Sequence, residues 1–267
     1  MTLRFDTHTP WQDPLALPCR LERSAADPAV MRVLVAGGTG LVGAPVVRAL
    51  ASRGDTVAVL GRSAERIAAM FAGVVPAVRA VTWAELTPAL IAVIAPDCVI
   101  NLSGENVGAG LWWTKTSMAA ILDSRTATTS QLAAAMAGSG STARLLSASG
   151  VSFYGDSDAE MNEASEAGAG AGDYLAGVSV AWEAAALSSL PAERCTFLRF
   201  GIVLTKGGGA LGKMELPFRL GLGGRVGPGT QAMSWISLVS AAPPLPRPPP
   251  STSYTHTHVP RCHPGTK

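Results

Sequence analysis

Apolar residues along this chain come in short uninterrupted runs separated by longer stretches of helical period. Residues 32–37 (RVLVAG), 56–62 (TVAVLGR), 78–83 (VRAVTW), 97–104 (DCVINLSG), 143–150 (ARLLSASG) and 195–204 (CTFLRFGIVL) read as strands buried on both faces. Helices fit between them at 43–53, 64–72, 83–94, 116–137 and 174–190. Strand-helix alternation implies right-handed crossovers, so the pattern predicts an α/β fold with a doubly wound parallel sheet. Proline bounds this unit: of 19 prolines, four lie in residues 1–30, eight after residue 240 and seven between. The expected organisation is an extension at 1–30, one folded domain at 31–238 and a Pro-rich tail at 239–267, both ends disordered.

The first strand runs into "GGTGLVG", residues Gly37, Gly38, Thr39, Gly40, Leu41, Val42 and Gly43. Gly38 to Gly43 satisfies G-x-G-x-x-G between a strand and a helix, the place where a dinucleotide turn must sit. Gly38 is expected to make the tight turn, Gly40 to let backbone approach the pyrophosphate, and Gly43 to let helix and strand pack closely. Amides at the helix start then meet the phosphate charge, and the fold becomes a Rossmann fold. The second strand ends at Gly61-Arg62-Ser63, with no Asp or Glu between Asp55 and Glu65 to bind ribose hydroxyls. Arg62 offers a fork of donors suited to a 2′-phosphate, which predicts NADP over NAD; the alternative is a solvated arginine beside the N-cap Ser63. A second glycine stretch, Gly207 to Lys213, matches G-x-x-x-x-G-K, but Met214 stands where a phosphate loop needs Ser or Thr, so a flexible glycine loop is expected.

Composition narrows the partners. The 21 basic and 19 acidic residues leave a formal charge of +2, too little for a long-range field toward nucleic acid or anionic lipid. No apolar run reaches the roughly 20 residues of a membrane span, and the acidic first 30 residues make no secretory signal. Four cysteines without a C-x-x-C spacing suggest neither zinc nor a disulfide framework, so a reducing, cytoplasmic setting is expected, with an organelle such as a plastid as the alternative. All four histidines fall in the two ends, which excludes a catalytic histidine from the domain; no metal site is expected.

Several further segments, "VINLSGEN" (99–106), "SRTATT" (124–129), "SASGVSFYGD" (147–156), "AWEAAA" (181–186) and the long run 198–236, resemble the short-chain dehydrogenase/reductase superfamily, specifically an atypical epimerase family group. The resemblance implies a Rossmann fold, a bound dinucleotide and contacts to it from Leu102, Ser103 and Gly104. In active members a Tyr-x-x-x-Lys helix supplies an acid/base pair beside a strand-end serine. Here Tyr174 heads the corresponding helix, yet Val178 stands four residues on, and no lysine occurs between Lys115 and Lys206. Ser149 is the better match for the serine, with Ser147 the other candidate; each could be satisfied by backbone. Glu105 and Asn106 fall at the carboxyl edge of the sheet, where Glu105 is a candidate for a ligand or proton-transfer role. Arg125 reads as part of a solvated helix face.

Relatives are expected to continue past "SWI" with a histidine, an aspartate and a substrate-side cap. Ser237 takes the histidine's place here, no carboxylate follows Glu215, and a Pro/Ser/Thr run follows, so the expectation is a chain without its C-terminal cap, as a retained intron or frameshift would leave it. Apolar residues 216–222 would then lack partners. Two functions fit: an NADP-dependent oxidoreductase or epimerase acting on a small carbonyl or hydroxyl substrate through Ser149, Tyr174 and Glu105, or an inactive NADP-binding module acting through a protein partner, in line with relatives linked to cell or plastid division. The "PPLPRPPP" run is a compositional cue for such a partner.

Overall fold

In the computed structural model the described residues are 30–108, 114–157, 159–168, 173–225, 229 and 233–241. The extension expected at 1–30 lies outside them save for residue 30, and the tail save for 239–241. Six parallel strands form the main sheet: β1 (Arg32–Ala36), β2 (Thr56–Gly61), β3 (Arg79–Thr82), β4 (Cys98–Asn101), β5 (Arg144–Gly150) and β6 (Cys195–Phe200), in the order β3-β2-β1-β4-β5-β6. Helices α1 (Gly43–Ser52), α2 (Ala64–Met70), α3 (Pro88–Ile94), α4 (Lys115–Gly138) and α5 (Tyr174–Leu187) supply the crossovers. The doubly wound Rossmann topology expected from the pattern is therefore present.

Alternate residues of each strand feed opposite layers, which is why the strands read as continuous apolar runs. Val33 and Val35 of β1 join Val46, Val47, Leu50, Ile67 and Phe71 under α1 and α2. Leu34 and Ala36 join Ile91, Leu132, Met136, Leu145 and Ala186 under α3, α4 and α5. Side chains such as Leu34, Val35 and Leu145 are fully buried, each stabilising the fold by roughly 1.5–3 kcal/mol. No helix among the described residues is long and apolar enough to cross a membrane.

Three expectations need correction. The helix expected at 83–94 starts only at Pro88: the Thr87 hydroxyl accepts from the Leu90 amide and caps it, and proline is pre-set for the first helical position. The strand expected at 195–204 breaks at Gly201, where a Cβ would stand 2.7 Å from the Ser234 carbonyl oxygen. After the break β7 (Ile202–Thr205) leaves the main sheet and pairs in parallel with β8 (Trp235–Ser237), which runs into a short α7 (Leu238–Ala241). The supposed flexible loop at 207–213 is largely helix: α6 spans Gly209–Arg219, entered through Gly207 and Gly209 at φ of 70° and 58°.

Helix α6 buries none of its residues, and Leu216, Phe218 and Leu222 are 62%, 59% and 78% exposed. Replacing all three with glutamine should leave unfolding free energy within about 0.5 kcal/mol of the parent. The same variant should bind less of a hydrophobic dye and scatter less light on heating. A large loss of stability in a denaturant melt would show that these side chains are packed in solution.

Candidate functional site

The order of the sheet reverses between β1 and β4, and the crevice outside their carboxyl ends is the place where open α/β sheets bind ligands. The glycine turn forms one side of it. Gly37, not Gly38, makes the tight turn: its φ is 74°, its amide donates to the Leu60 carbonyl at 3.1 Å, and a Cβ there would come within 2.6 Å of the Leu102 carbonyl oxygen. Gly38 serves packing, since a Cβ would meet Val59 Cγ1 at 2.8 Å. Gly43 does what the motif asks, its Cα hydrogen side pressed against the Gly37 carbonyl. Thr39 is half-buried and Gly40 exposed; the Gly40 amide donates to the Gly37 carbonyl and its carbonyl accepts from the Ala44 amide, both at 3.0 Å. The amides of Leu41 and Val42, just ahead of α1, have no hydrogen-bond acceptor among the described residues. Two free donors over a floor without side chains are a cradle that fits a phosphate.

At the end of β2, Arg62 is exposed and has no partner among the described residues. The nearest carboxylate in sequence, Glu65, is turned away by its own cap: Ser63 Oγ donates to Glu65 Oε2 at 2.7 Å and accepts from the Arg66 amide. That hydrogen bond holds the Glu65 pKa below the usual carboxylate value.

The end of β4 is anchored from beneath. Asn101, fully buried, donates through Nδ2 to Thr129 Oγ1 at 2.8 Å and Ser147 Oγ at 3.2 Å, and its Oδ1 accepts from Ser103 Oγ at 2.5 Å. The Leu102 amide donates to the Ala36 carbonyl at 2.9 Å, so Leu102, Ser103 and Gly104 are fixed against the glycine turn. Glu105 and Asn106 are exposed at the crevice edge; the Glu105 amide donates to Ser124 Oγ, and Asn106 Oδ1 accepts from the Gly108 amide.

Arg125 is not on a solvated face. It is buried on α4, donates to the Ile121 carbonyl at 2.9 Å, and stacks 4.9 Å from the centroid of Trp182. A Cβ on Gly104 would stand 3.2 Å from its Cζ, so the guanidinium lies directly against the chain at the end of β4. Burial lowers the Arg125 pKa, while Tyr174 and Glu105 support its charge.

The expected catalytic serine and tyrosine are both engaged. Ser149 Oγ, buried at the end of β5, donates to Glu183 Oε1 at 2.7 Å. Glu183 is held by Arg199 through two bonds of 2.8 Å, and Arg199 donates onward to the Tyr154 hydroxyl at 3.0 Å and stacks 3.5 Å over Phe153. Ser147, the other candidate, is buried and receives Asn101. Tyr174 donates from its hydroxyl to the Met118 carbonyl of α4. Burial pushes its pKa up, against the pull of Arg125 and with Asp123 adding to the rise. Val178 is buried apolar packing. Glu183, Arg199 and Tyr154 were not singled out from sequence. One glutamate in "AWEAAA" and one arginine in "FLRF", each alone in an apolar run, were the signal for a buried ion pair.

Residues 33–174 match the NAD dependent epimerase/dehydratase family, more than half of the 267 residues. The chain belongs to that family. Mouse epimerase family protein SDR39U1 is 36% identical over 210 residues, covering 78% of this chain and 67% of the mouse protein. An Arabidopsis thaliana protein named the chloroplastic SDR39U1 homolog is 35% identical over 215 residues, covering 77% of this chain and 58% of its own length. A crystal structure of human SDR39U1 (isoform2) with NADPH has a TM-score of 0.63 and 36% identity, covering 78% of this chain and 66% of the human one. The chain thus spans about two thirds of the length of the human chain it matches.

The Glu183–Arg199 pair, with both side chains under 9% exposed, should be the most sensitive charge in the site. Arg199→Met strands a buried carboxylate and should cost about 3–5 kcal/mol in denaturant unfolding, whereas Arg199→Met with Glu183→Leu should recover much of it. A double variant that loses the sum of the two single losses would mean that the pair is not coupled.

Proposed function

We propose that the chain binds NADP(H) across the β1–β4 crevice and serves as an oxidoreductase or epimerase on a small carbonyl or hydroxyl substrate. The observation that carries this reading is the glycine cradle with its two unclaimed amides. Gly37 to Gly43 would hold the pyrophosphate, Leu102 to Gly104 would line the nicotinamide half, and Arg62 would take the 2′-phosphate. Support comes from the human relative crystallised with NADPH. The dinucleotide supplies hydride chemistry when bound; the chain's own residues orient the substrate and hold protons. Ser149 has committed its proton to Glu183, so toward a substrate hydroxyl it would act as an acceptor. Glu105, exposed at the edge, is the open carboxylate, and Tyr174 is the remaining phenol.

A second reading, an NADP(H)-responsive module without turnover acting through a protein partner, is favoured by one observation. Tyr174 spends its hydroxyl proton on Met118, and the place four residues on is the buried Val178. Cys98 and Cys195 are buried with their thiol pKa values raised to about 12 and about 11, so both are unreactive, and the four cysteines without a C-x-x-C spacing are those of a chain in a reducing compartment. The cytoplasm is the simplest such place, and the plastid relative keeps an organelle as the alternative.

Titration of the purified chain by NADPH fluorescence tests the cofactor. NADPH should bind more tightly than NADH, and Arg62→Leu should weaken NADPH roughly tenfold while leaving NADH unchanged, the loss expected for one charge-assisted contact. Equal affinity for the two nucleotides would remove Arg62 from the site.

A further inference from the structure

The second glycine stretch, dismissed as a phosphate loop, has a place in the fold that its motif did not reveal. Its helix lies against both sides of the crevice. A Cβ on Gly208 or Gly209 would come within 3.1 Å of the side chain of Leu41, which belongs to the β1–α1 turn. One turn later Lys213 reaches the loop after β4: its Nζ stands 3.6 Å from where a Cβ of Gly108 would be. Gly209 and Lys213 are four residues apart in α6 and therefore share one face of it. That face spans from the end of β1 to the end of β4, the two strands between which the sheet order reverses.

The charge on this face is not spoken for. Glu215, the carboxylate of α6, is paired with Arg219 at 2.7 Å, and Lys213 is exposed with no ion pair among the described residues. Asn106, which neighbours Gly108 at the same spot, presents an amide oxygen already bonded to the Gly108 amide. An exposed ammonium beside Gly108, on a helix whose start packs against Leu41 next to the two unclaimed amides, makes a second wall of positive charge for a phosphate anion.

We propose that α6 is the second wall of the dinucleotide crevice and that Lys213 contacts the pyrophosphate of the bound cofactor, with Leu41 fixing the helix over the glycine turn. This rests on the NADP(H) reading above. Lys213 is then a phosphate-binding lysine supplied from a helix late in the chain, and the exposed Met214 that follows it takes no part.

The test is NADPH binding to the full chain, followed by fluorescence over a range of salt concentrations. Lys213→Met should raise Kd roughly tenfold and flatten its dependence on salt, and Lys213→Arg should restore most of the affinity. Arg219→Met removes the same charge from the same helix and should leave Kd within about twofold, its partner being Glu215. Adenosine 2′-monophosphate, which carries no pyrophosphate, should bind parent and Lys213→Met alike. Unchanged NADPH affinity in Lys213→Met overturns the inference while the cofactor reading stands. So does a loss confined to uridine diphosphate, which would assign Lys213 to a substrate phosphate. A parent chain that binds no NADPH overturns the cofactor reading and this inference with it.

Discussion

The structure turns on a close approach of two backbones, at Gly37 above β1 and Leu102 above β4. A single methyl group on Gly37 would collide with the Leu102 carbonyl, and one on Gly43 would collide with that of Gly37. The approach joins the two halves of the sheet at the point where the order reverses, and it sets the depth of the crevice. It also explains why the floor there is backbone rather than side chain. Amides, which neither titrate nor rotate away, are then the groups presented to an anion.

Around that floor almost every polar side chain is already committed. Asn101 links β4 to α4 and β5, Thr129 receives the Trp182 indole at 2.9 Å, and Ser149, Glu183, Arg199 and Tyr154 form one chain across β5, α5 and β6. Buried polar groups satisfied in this way hold helices in register against the sheet at little net cost, and would be expensive if broken singly. Among the described residues, what remains uncommitted includes the Leu41 and Val42 amides on one rim, Arg62 beyond β2, and Glu105 and Lys213 on the other rim. The interior sets the shape, and the open donors and charges lie on the rim.

The uninterrupted apolar runs made the parallel sheet and the helices between its strands legible, because strands buried on both faces read as continuous apolar stretches, whereas their order in the sheet came only from the structure. The glycine turn was legible for the same reason: its spacing is imposed by sterics that only the absence of Cβ relieves. Gly201 and the strand break were not, because the residue that excludes a side chain there, Ser234, is over thirty positions away. Helix α6 was hidden by its composition, since Gly207 to Gly212 has the look of a loop and its apolar face is not buried. Arg125 misled because a lone arginine among Ala, Thr and Ser looks solvated; the ring of Trp182 and the bare Gly104 that cover it come from other elements.

Those two covering residues bear on the chemistry of Tyr174. The phenol sits at the seam of α4 and α5, where burial disfavours the phenolate and Asp123 on α4 disfavours it further. Arg125, the cation that opposes them, is itself penalised by burial, with Glu105 supporting its charge. The other charges packed on α5, Glu183 and Arg199, cancel each other through their paired bonds, and Asp173 is occupied as the cap that accepts from the Ala176 amide. Tyr174 therefore depends on one charge from a neighbouring helix, supplied sideways rather than from its own turn of helix. With its hydroxyl donating to the Met118 carbonyl and its pKa raised by burial, the phenol is held in its protonated form.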